Sequence, residues 1–394
     1  MNSSRPLVGA EAIGRARALV PVLAERAAKT EALRRLPDET FADLRESGLL
    51  GISQPRRLGG SELTLTDAFD IIALLSQGCG STGWTYALLA AHGWFLAQFG
   101  EQAQRDVWEA DPDAVLSTSF SGGPGPEIVD GGLHITQGLW RFSTGVHHAD
   151  WVALLAPVPQ QGPAPDMRFL LMPRSEVEII DDWRSAGLAG SGSCSIAARD
   201  IFVPHHRTLR MQDLLDATGP GRLVNDGPLY QFPLVGCWHV FLSAPAAGIA
   251  RGAMDAWIAR TKSRVHPFTR EPVAGDPAGQ VRLGAAAARI EAAETLIRRA
   301  AESVTADILA TGAVSPQTQV RGRRDHAFGI SLCVEAVEDL FRAAGASSLD
   351  ESSPIQRHWR DVHAVAQHVA NNLDSNLGAW GERALGLGDG LRFG

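Results

Sequence analysis

Four long alanine-rich segments in the second half of the chain constrain its fold more than any other feature. Their apolar residues recur at helical spacing and only short connections separate them, so each segment predicts one helix. Antiparallel packing buries four such apolar stripes economically, which predicts a four-helix bundle. Apolar residues on several faces also favour self-association. The predicted helices are Val235–Thr261, Asp276–Thr311, Pro316–Ala344 and Ile355–Leu377.

The chain before the bundle divides into a helical region and a strand-rich region. Residues from about Ala10 to Glu109 show helical periodicity, whereas short runs of β-branched and aromatic residues alternate with turns from about Asp111 to Arg210. The second pattern is typical of a compact β-barrel or sandwich. The predicted strands are Ala114–Ser119, Gly132–Ile135, Gly138–Thr144, Trp151–Ala156, Phe169–Met172, Val177–Ile180 and Ser193–Phe202.

These patterns predict an α+β protein that is mainly α, with three domains. The N-terminal helical domain covers residues 1–110, the middle β-barrel or sandwich covers 111–212, and the C-terminal four-helix bundle covers 213–394. A chain of 394 residues, of which 45% are hydrophobic, is long enough to fill such a core.

Charge and composition exclude several classes of function. The formal net charge of −8 argues against a general binding surface for nucleic acid or an anionic membrane. No uninterrupted apolar run approaches the roughly 20 residues that cross a bilayer, and no signal segment opens the chain. We therefore expect a cytoplasmic protein whose thiols are buried and reduced. The single, scattered cysteines are Cys79, Cys194, Cys237 and Cys333.

The segment from Arg357 to His368 carries the strongest functional signal. It places histidines among arginines, an aspartate and small apolar residues near the end of the last predicted helix. The pKa of free imidazole lies close to physiological pH, so such a histidine is a candidate for proton transfer. A metal site is not expected, because His363 and His368 lie about 140° apart around a helix and the bundle contains no Glu-x-x-His motif.

Three features together resemble the acyl-CoA dehydrogenase superfamily. They are the order helical region, β region, four-helix bundle; the segment Trp183 to Ser193; and the C-terminal segment just described. Many of those dehydrogenases carry a glutamate base where this chain has Val369, and a histidine lies beside that position. This combination is similar to the two-component flavin-dependent monooxygenases of the superfamily (group D).

The resemblance implies an oxygenase component and not a complete electron-transfer chain. Reduced FMN or FAD would diffuse from a separate NAD(P)H:flavin reductase, since the sequence has no Rossmann fingerprint. Oxygen would react to give a C4a-hydroperoxyflavin, which hydroxylates a small aromatic or heteroaromatic molecule. The family is usually tetrameric, so a homotetramer is expected.

The resemblance also implies site residues. We expect His368, His92 and Ser143 to be catalytic, with either histidine as the base and Ser143 bonded near flavin N5. Arg264 would bind the flavin phosphate, a role that suits a guanidinium. The expected flavin contacts are Ser117, Ser119, Trp140, Ser143, Thr144, Arg264 and His368, and the expected walls of the substrate pocket are Trp84, Trp94, Trp238 and Phe241.

Three alternatives stay open on the sequence. The first is an acyl-CoA dehydrogenase whose glutamate lies elsewhere, with Glu335, Glu338 and Glu351 as candidates. The second is a monooxygenase that oxidises nitrogen or sulfur instead of carbon. The third is a flavin-binding protein without turnover. The sequence does not distinguish FMN from FAD.

Overall fold

A computed structural model describes residues 6–161 and 164–391. The N-terminal region is helical, as predicted, and its fourth helix, Gly80–Leu96, is almost completely buried. Thr64 and Asp67 form a capping box at the start of the third helix, which fixes the entry of the chain into the core. The helices are α1 (Gly9–Leu33), α2 (Asp38–Glu46), α3 (Leu65–Gly78), α4 (Gly80–Leu96) and α5 (Glu101–Trp108).

The middle region is a sandwich of two four-stranded sheets, in the orders β1-β4-β5-β8 and β2-β3-β7-β6. All pairs are antiparallel except β1 with β4, which is parallel. Two predicted strands are joined in one continuous strand, β3, and the short edge strands β2 and β8 were missed. The strands are β1 (Leu116–Ser119), β2 (Glu127–Val129), β3 (Gly132–Ser143), β4 (Trp151–Val158), β5 (Asp166–Pro173), β6 (Glu178–Ile180), β7 (Cys194–Pro204) and β8 (Thr208–Arg210).

Three of the four predicted bundle helices are found, but the fourth is wrong as a single helix. The predicted segment Ile355–Leu377 breaks after Ala366 into a short 3-10 turn, Val369–Asn371. Side chains cap both sides of the break: His368 caps the turn and Asn372 caps the next helix. The helices are α6 (Met211–Leu215), α7 (Leu234–Ser263), α8 (Pro277–Thr311), α9 (Pro316–Ala344), α10 (Pro354–Ala366) and α11 (Leu373–Ala384).

The predicted fold class is confirmed. One large apolar core runs through the N-terminal helices and the bundle, and a second core lies between the two sheets. All four cysteines are buried and unpaired. Across the described ranges, no helix is both long and apolar enough to cross a membrane.

Candidate active site

Helix α4 connects the β domain to the C-terminal bundle, and the candidate site is built around it. His92, near its C-terminal end, contacts strand β1 through Thr118. Trp84, two turns earlier, packs against His368 at 5.6 Å between ring centroids. The turn after β3 packs on the same helix, since a side chain at Gly145 would come within 3.0 Å of Thr85. One buried helix therefore brings strand ends and the break after α10 to one place.

His92 is neutral and both of its ring nitrogens are engaged. Nδ1 lies 2.6 Å from the carbonyl oxygen of Leu116, which only accepts, so Nδ1 carries the proton. Nε2 then accepts from the Thr118 hydroxyl at 2.8 Å. Burial lowers the pKa of His92 to about 3. In this arrangement His92 holds Thr118 in place, and its predicted role as a base requires the bond to Thr118 to open.

The predicted flavin-contacting hydroxyls form a buried cluster between β1 and the end of β3. The oxygens of Ser117 and Ser143 lie 2.7 Å apart, and Ser117 donates to the carbonyl of Thr144 at 2.8 Å. Ser143 therefore donates to Ser117 and keeps lone pairs free to accept. Beside them, Ser119 donates to the carbonyl of Arg141, and Thr144 bonds Ser193. This cluster brings together the predicted residues Ser117, Ser119, Ser143 and Thr144.

Strand β3 does not alternate as expected at its end, and this corrects the prediction for Trp140. A bulge between Trp140 and Ser143 puts Phe142 at a φ of 64° and leaves its side chain 64% exposed. Trp140 is instead enclosed between the sheets, where its indole donates to the carbonyl of Leu155 at 2.7 Å. Its side chain therefore belongs to the sandwich core and not to a flavin surface, while the residues exposed at this strand end are Arg141 and Phe142.

His368 does not lie on a helix, contrary to the prediction, and its surroundings define its tautomer. Its Nδ1 accepts the backbone N–H of Ala370 at 3.2 Å, so in the neutral ring the proton sits on Nε2. Burial lowers the pKa of His368 to about 4, which keeps the ring neutral at pH 7. Its free nitrogen is consequently a hydrogen-bond donor, and not the base that the sequence suggested.

The four predicted pocket residues are all buried, but they differ in what they contact. Trp238 lies 5.6 Å from both His92 and Phe120, so it faces the junction of α4 and β1. Trp94 packs against Trp238 at 6.3 Å, and its indole donates to the carbonyl of Leu229. Trp84 and Trp238 are the pair next to the two predicted histidines. Phe241 is fully buried in the core.

Within the described ranges, Arg264 and the glutamates considered as alternative bases (Glu335, Glu338 and Glu351) do not contact His92, His368 or the hydroxyl cluster described above. Arg264 follows α7, and its guanidinium donates to the carbonyl of Ala344 at the end of α9 at 3.1 Å. Glu338 accepts from the indole of Trp359 and pairs with Arg342, and these contacts lower its pKa. Glu335 pairs with Arg289, and Glu351 is exposed. Within residues 6–161 and 164–391, no group of three or more acidic, histidine or cysteine side chains is arranged to bind a metal.

Comparison with known proteins identifies the family of the chain. Residues 16–110 match the acyl-CoA dehydrogenase N-terminal domain and residues 240–373 match its C-terminal domain. The oxygenase subunit HsaA, a flavin-dependent monooxygenase of Rhodococcus jostii (strain RHA1), is 35% identical over 94% of this chain and 97% of that protein. The oxygenase component of an FADH2-dependent resorcinol hydroxylase from Rhizobium sp. (strain MTP-10005) is 36% identical over 95% and 94%.

A solved structure agrees closely with the fold. The crystal structure of 3-HSA hydroxylase from Rhodococcus sp. RHA1 superposes with a TM-score of 0.92, at 34% identity over 97% of this chain and 99% of that one. The chain belongs to the flavin-dependent monooxygenases of the acyl-CoA dehydrogenase superfamily. It is therefore an enzyme, and a protein without turnover is no longer an alternative.

The residues present fit the flavin that this family uses. Reduced flavin carries an N–H at N5, and the Ser143 oxygen, whose own O–H donates a hydrogen bond to Ser117, has lone pairs free to accept a hydrogen bond from it. Neutral imidazoles and indoles around α4 provide the dry surroundings in which oxygen chemistry is protected from water. No step of that chemistry needs a carboxylate at Val369, whose side chain is 74% exposed in the single chain.

Two neighbours of the site were missed by sequence reasoning. His239 on α7 carries a pKa lowered to about 4 by burial and by the charges of Arg323 and His368. Asp361 on α10 accepts the backbone N–H of Leu188 at 2.6 Å and so fastens the segment Trp183 to Ser193 to the bundle. The only sequence signal for His239 was its position next to Trp238, and Asp361 stood out only as the aspartate of the segment Arg357 to His368.

Proposed function

We propose that this enzyme hydroxylates a small phenol, using reduced flavin and O2. The observation that carries the proposal is the charge of the site: its histidines are neutral, its walls are aromatic, and a carboxylate base is missing at Val369. In the net reaction a ring C–H becomes C–OH, the second oxygen atom leaves as water, and the flavin is oxidised. The relatives named for resorcinol and for 3-HSA hydroxylation support carbon hydroxylation over oxidation of nitrogen or sulfur.

The flavin arrives reduced from a separate NAD(P)H:flavin reductase, as the subunit and component names of the relatives indicate. When bound, it supplies the electrons that activate oxygen. Ser143 would accept a hydrogen bond from the N5–H of the bound flavin and so help to keep that proton in place. Arg264 binds the flavin phosphate, and its position at the ends of α7 and α9 suits a contact across a subunit boundary.

His368 acts as a donor in this scheme. Its Nε2–H is fixed by the bond between Nδ1 and Ala370, so it stabilises negative charge that develops on oxygen next to the ring. A donor in a buried site acts more strongly than one in water, because competing solvent is excluded.

The functional unit is a homotetramer in the cytoplasm. Large apolar side chains are exposed on the bundle helices and on the loop between α7 and α8, and exposed apolar surface favours association. Four buried, unpaired thiols fit a reducing compartment. The exposed residues include Phe268, Val281, Leu309 and Phe328.

The proposal is tested with purified enzyme, a flavin reductase with NADH, and a panel of phenols. We expect the isolated protein to be nearly colourless, to bind reduced FMN or FAD in preference to the oxidised form, and to give a product heavier by one oxygen atom that comes from labelled O2. Bleaching of a tightly bound yellow flavin by an acyl-CoA would show a dehydrogenase instead. Light scattering on the same preparation measures the oligomeric state.

A further inference from the structure

Two imidazoles stack where α7 lies beside the break after α10. His239 on α7 stacks on His326 of α9, with 5.8 Å between the ring centroids and 27° between the planes. The side chain of Asn371 donates to the carbonyl of Leu242, less than one turn from His239, so the turn that begins at His368 is anchored on the same helix. Helix α7 also packs directly against this turn, so His239 and His368 lie on neighbouring elements.

His239 presents a bare nitrogen. Its Nδ1 lies 2.8 Å from the carbonyl oxygen of Val235, so Nδ1 carries the proton and Nε2 carries a lone pair. Among the described residues Nε2 has no hydrogen-bond partner, yet it is not one of the sealed, unpartnered atoms of the core. His326 fixes the plane of the ring, because its own Nδ1 is bonded to Ser243 at 2.9 Å. The lone pair is thus held in one direction.

His368 has the opposite polarity. Its Nδ1 is occupied by the N–H of Ala370, which leaves a proton on Nε2. His239 on α7 and His368 at the turn packed against it therefore offer one acceptor and one donor. A hydroxyl group can satisfy both kinds of partner, whereas an ether oxygen can satisfy only a donor.

We propose that His239 is a specificity-determining residue, whose Nε2 accepts a hydrogen bond from a hydroxyl group of the aromatic substrate. This inference rests on the proposed function and names the feature of the substrate that is recognised. No proton is transferred and no bond is broken. A methyl ether in the same place would leave a buried acceptor unpartnered, and such a group costs more than the hydrogen bond itself contributes.

Two substitutions distinguish the role of the Nε2 acceptor from that of the imidazole ring as a whole. In His239→Gln the amide oxygen reaches about as far as Nε2, whereas in His239→Asn it reaches only the position of Nδ1. The probes are resorcinol and 1,3-dimethoxybenzene, whose binding is measured by quenching of tryptophan fluorescence without oxygen. Losing one hydrogen bond changes affinity by roughly tenfold. We expect wild type to prefer resorcinol by about that factor, His239→Asn to lose the preference, and His239→Gln to keep most of it.

The outcomes are distinct. A wild-type enzyme that does not bind resorcinol more tightly than the ether overturns the inference without any variant. So does a folded His239→Asn enzyme with unchanged preference, or one that loses affinity for both probes equally. Turnover of resorcinol with reduced flavin is measured in parallel. If product forms and its KM is the same in wild type and the His239 variants, the inference is refuted and the proposed function stands. If the binding preference depends on His239 but no product forms, the proposed function is refuted and the inference stands.

Discussion

Asp361 should make the enzyme less stable as pH rises from about 4 to 6, and replacing it by asparagine should remove that loss. The carboxylate is 2% exposed, one oxygen accepts from Leu188, and the other has no partner among the described residues. Gly80 allows this close approach, since a side chain there would come within 2.6 Å of the unpartnered oxygen. Burial is the main cause that raises the pKa of Asp361 from 3.8 to about 6.

The sign and size follow from linkage. A carboxyl whose pKa is higher in the folded state binds its proton more tightly there, so ionisation above the unfolded pKa favours unfolding. The rise of about 2 in the pKa of Asp361 corresponds to roughly 3 kcal/mol of the free energy of unfolding. This stability is lost between about pH 4 and pH 6, and the loss is constant at higher pH. Asp361→Asn keeps an oxygen for the Leu188 N–H and cannot ionise. Relative to wild type, the variant should therefore gain about 2 kcal/mol between pH 4.5 and pH 7.5, because part of the loss has already occurred at pH 4.5.

Urea unfolding followed by tryptophan fluorescence at fixed protein concentration measures this difference. The buried histidines titrate in the same range, but they contribute equally to both proteins, so the difference between the two curves reports Asp361. Asp374→Asn, on the exposed start of α11, removes the same charge and controls for net charge. Parallel curves for wild type and Asp361→Asn would refute the reasoning.

Four further substitutions test the site. Arg264→Ala should weaken binding of reduced flavin ten- to a hundredfold, because a charge-assisted contact contributes about 1.5–3 kcal/mol. Substitution of the exposed Arg282 by alanine is the control in the same titration. Equal affinities of wild type and Arg264→Ala would show that Arg264 does not bind the flavin phosphate. His368→Ala should lower product formation by about 10²-fold or more while oxygen consumption continues, with hydrogen peroxide released; full coupling would remove His368 from the chemistry. Ser143→Ala should also release hydrogen peroxide, and it should do so faster than wild type when substrate is absent. Trp140→Leu should lower the stability of the fold and leave the coupling of oxygen consumption to product intact. The reverse pattern would show that Trp140 contacts the flavin.

Helical periodicity predicted the bundle well because its signals are local. The observed α9 has the predicted bounds, Pro316–Ala344, since Ser315 caps it and Pro316 occupies its first turn. The break after Ala366 was missed because no proline or glycine marks it, and only Asn372 could have signalled a new helix start. The bulge at Phe142 was missed for the same reason, as a non-glycine residue adopts the positive φ.

The tautomers of the histidines could not be predicted, because backbone groups set them. His92, His239 and His368 look alike in the sequence, but the carbonyls of Leu116 and Val235 and the N–H of Ala370 give each a different free nitrogen. Which residue type stands at a position is local information, whereas which nitrogen is free depends on the packing around it.

The charge of the site explains how one fold serves two chemistries. Removing a proton next to a thioester needs an ionised carboxylate aimed at the substrate, and this chain has Val369 on an outward-facing turn instead. Oxygen transfer to a phenol needs a dry cavity, donors for developing negative charge and a partner for the hydroxyl. Burial keeps the pKa values of His92, His239 and His368 at about 3 to 4, so these three rings stay uncharged throughout the physiological range. Helix α4 and its neighbours thus give the fold an aromatic, neutral site, and in the proposed scheme each histidine acts through the direction of a hydrogen bond and not through its charge.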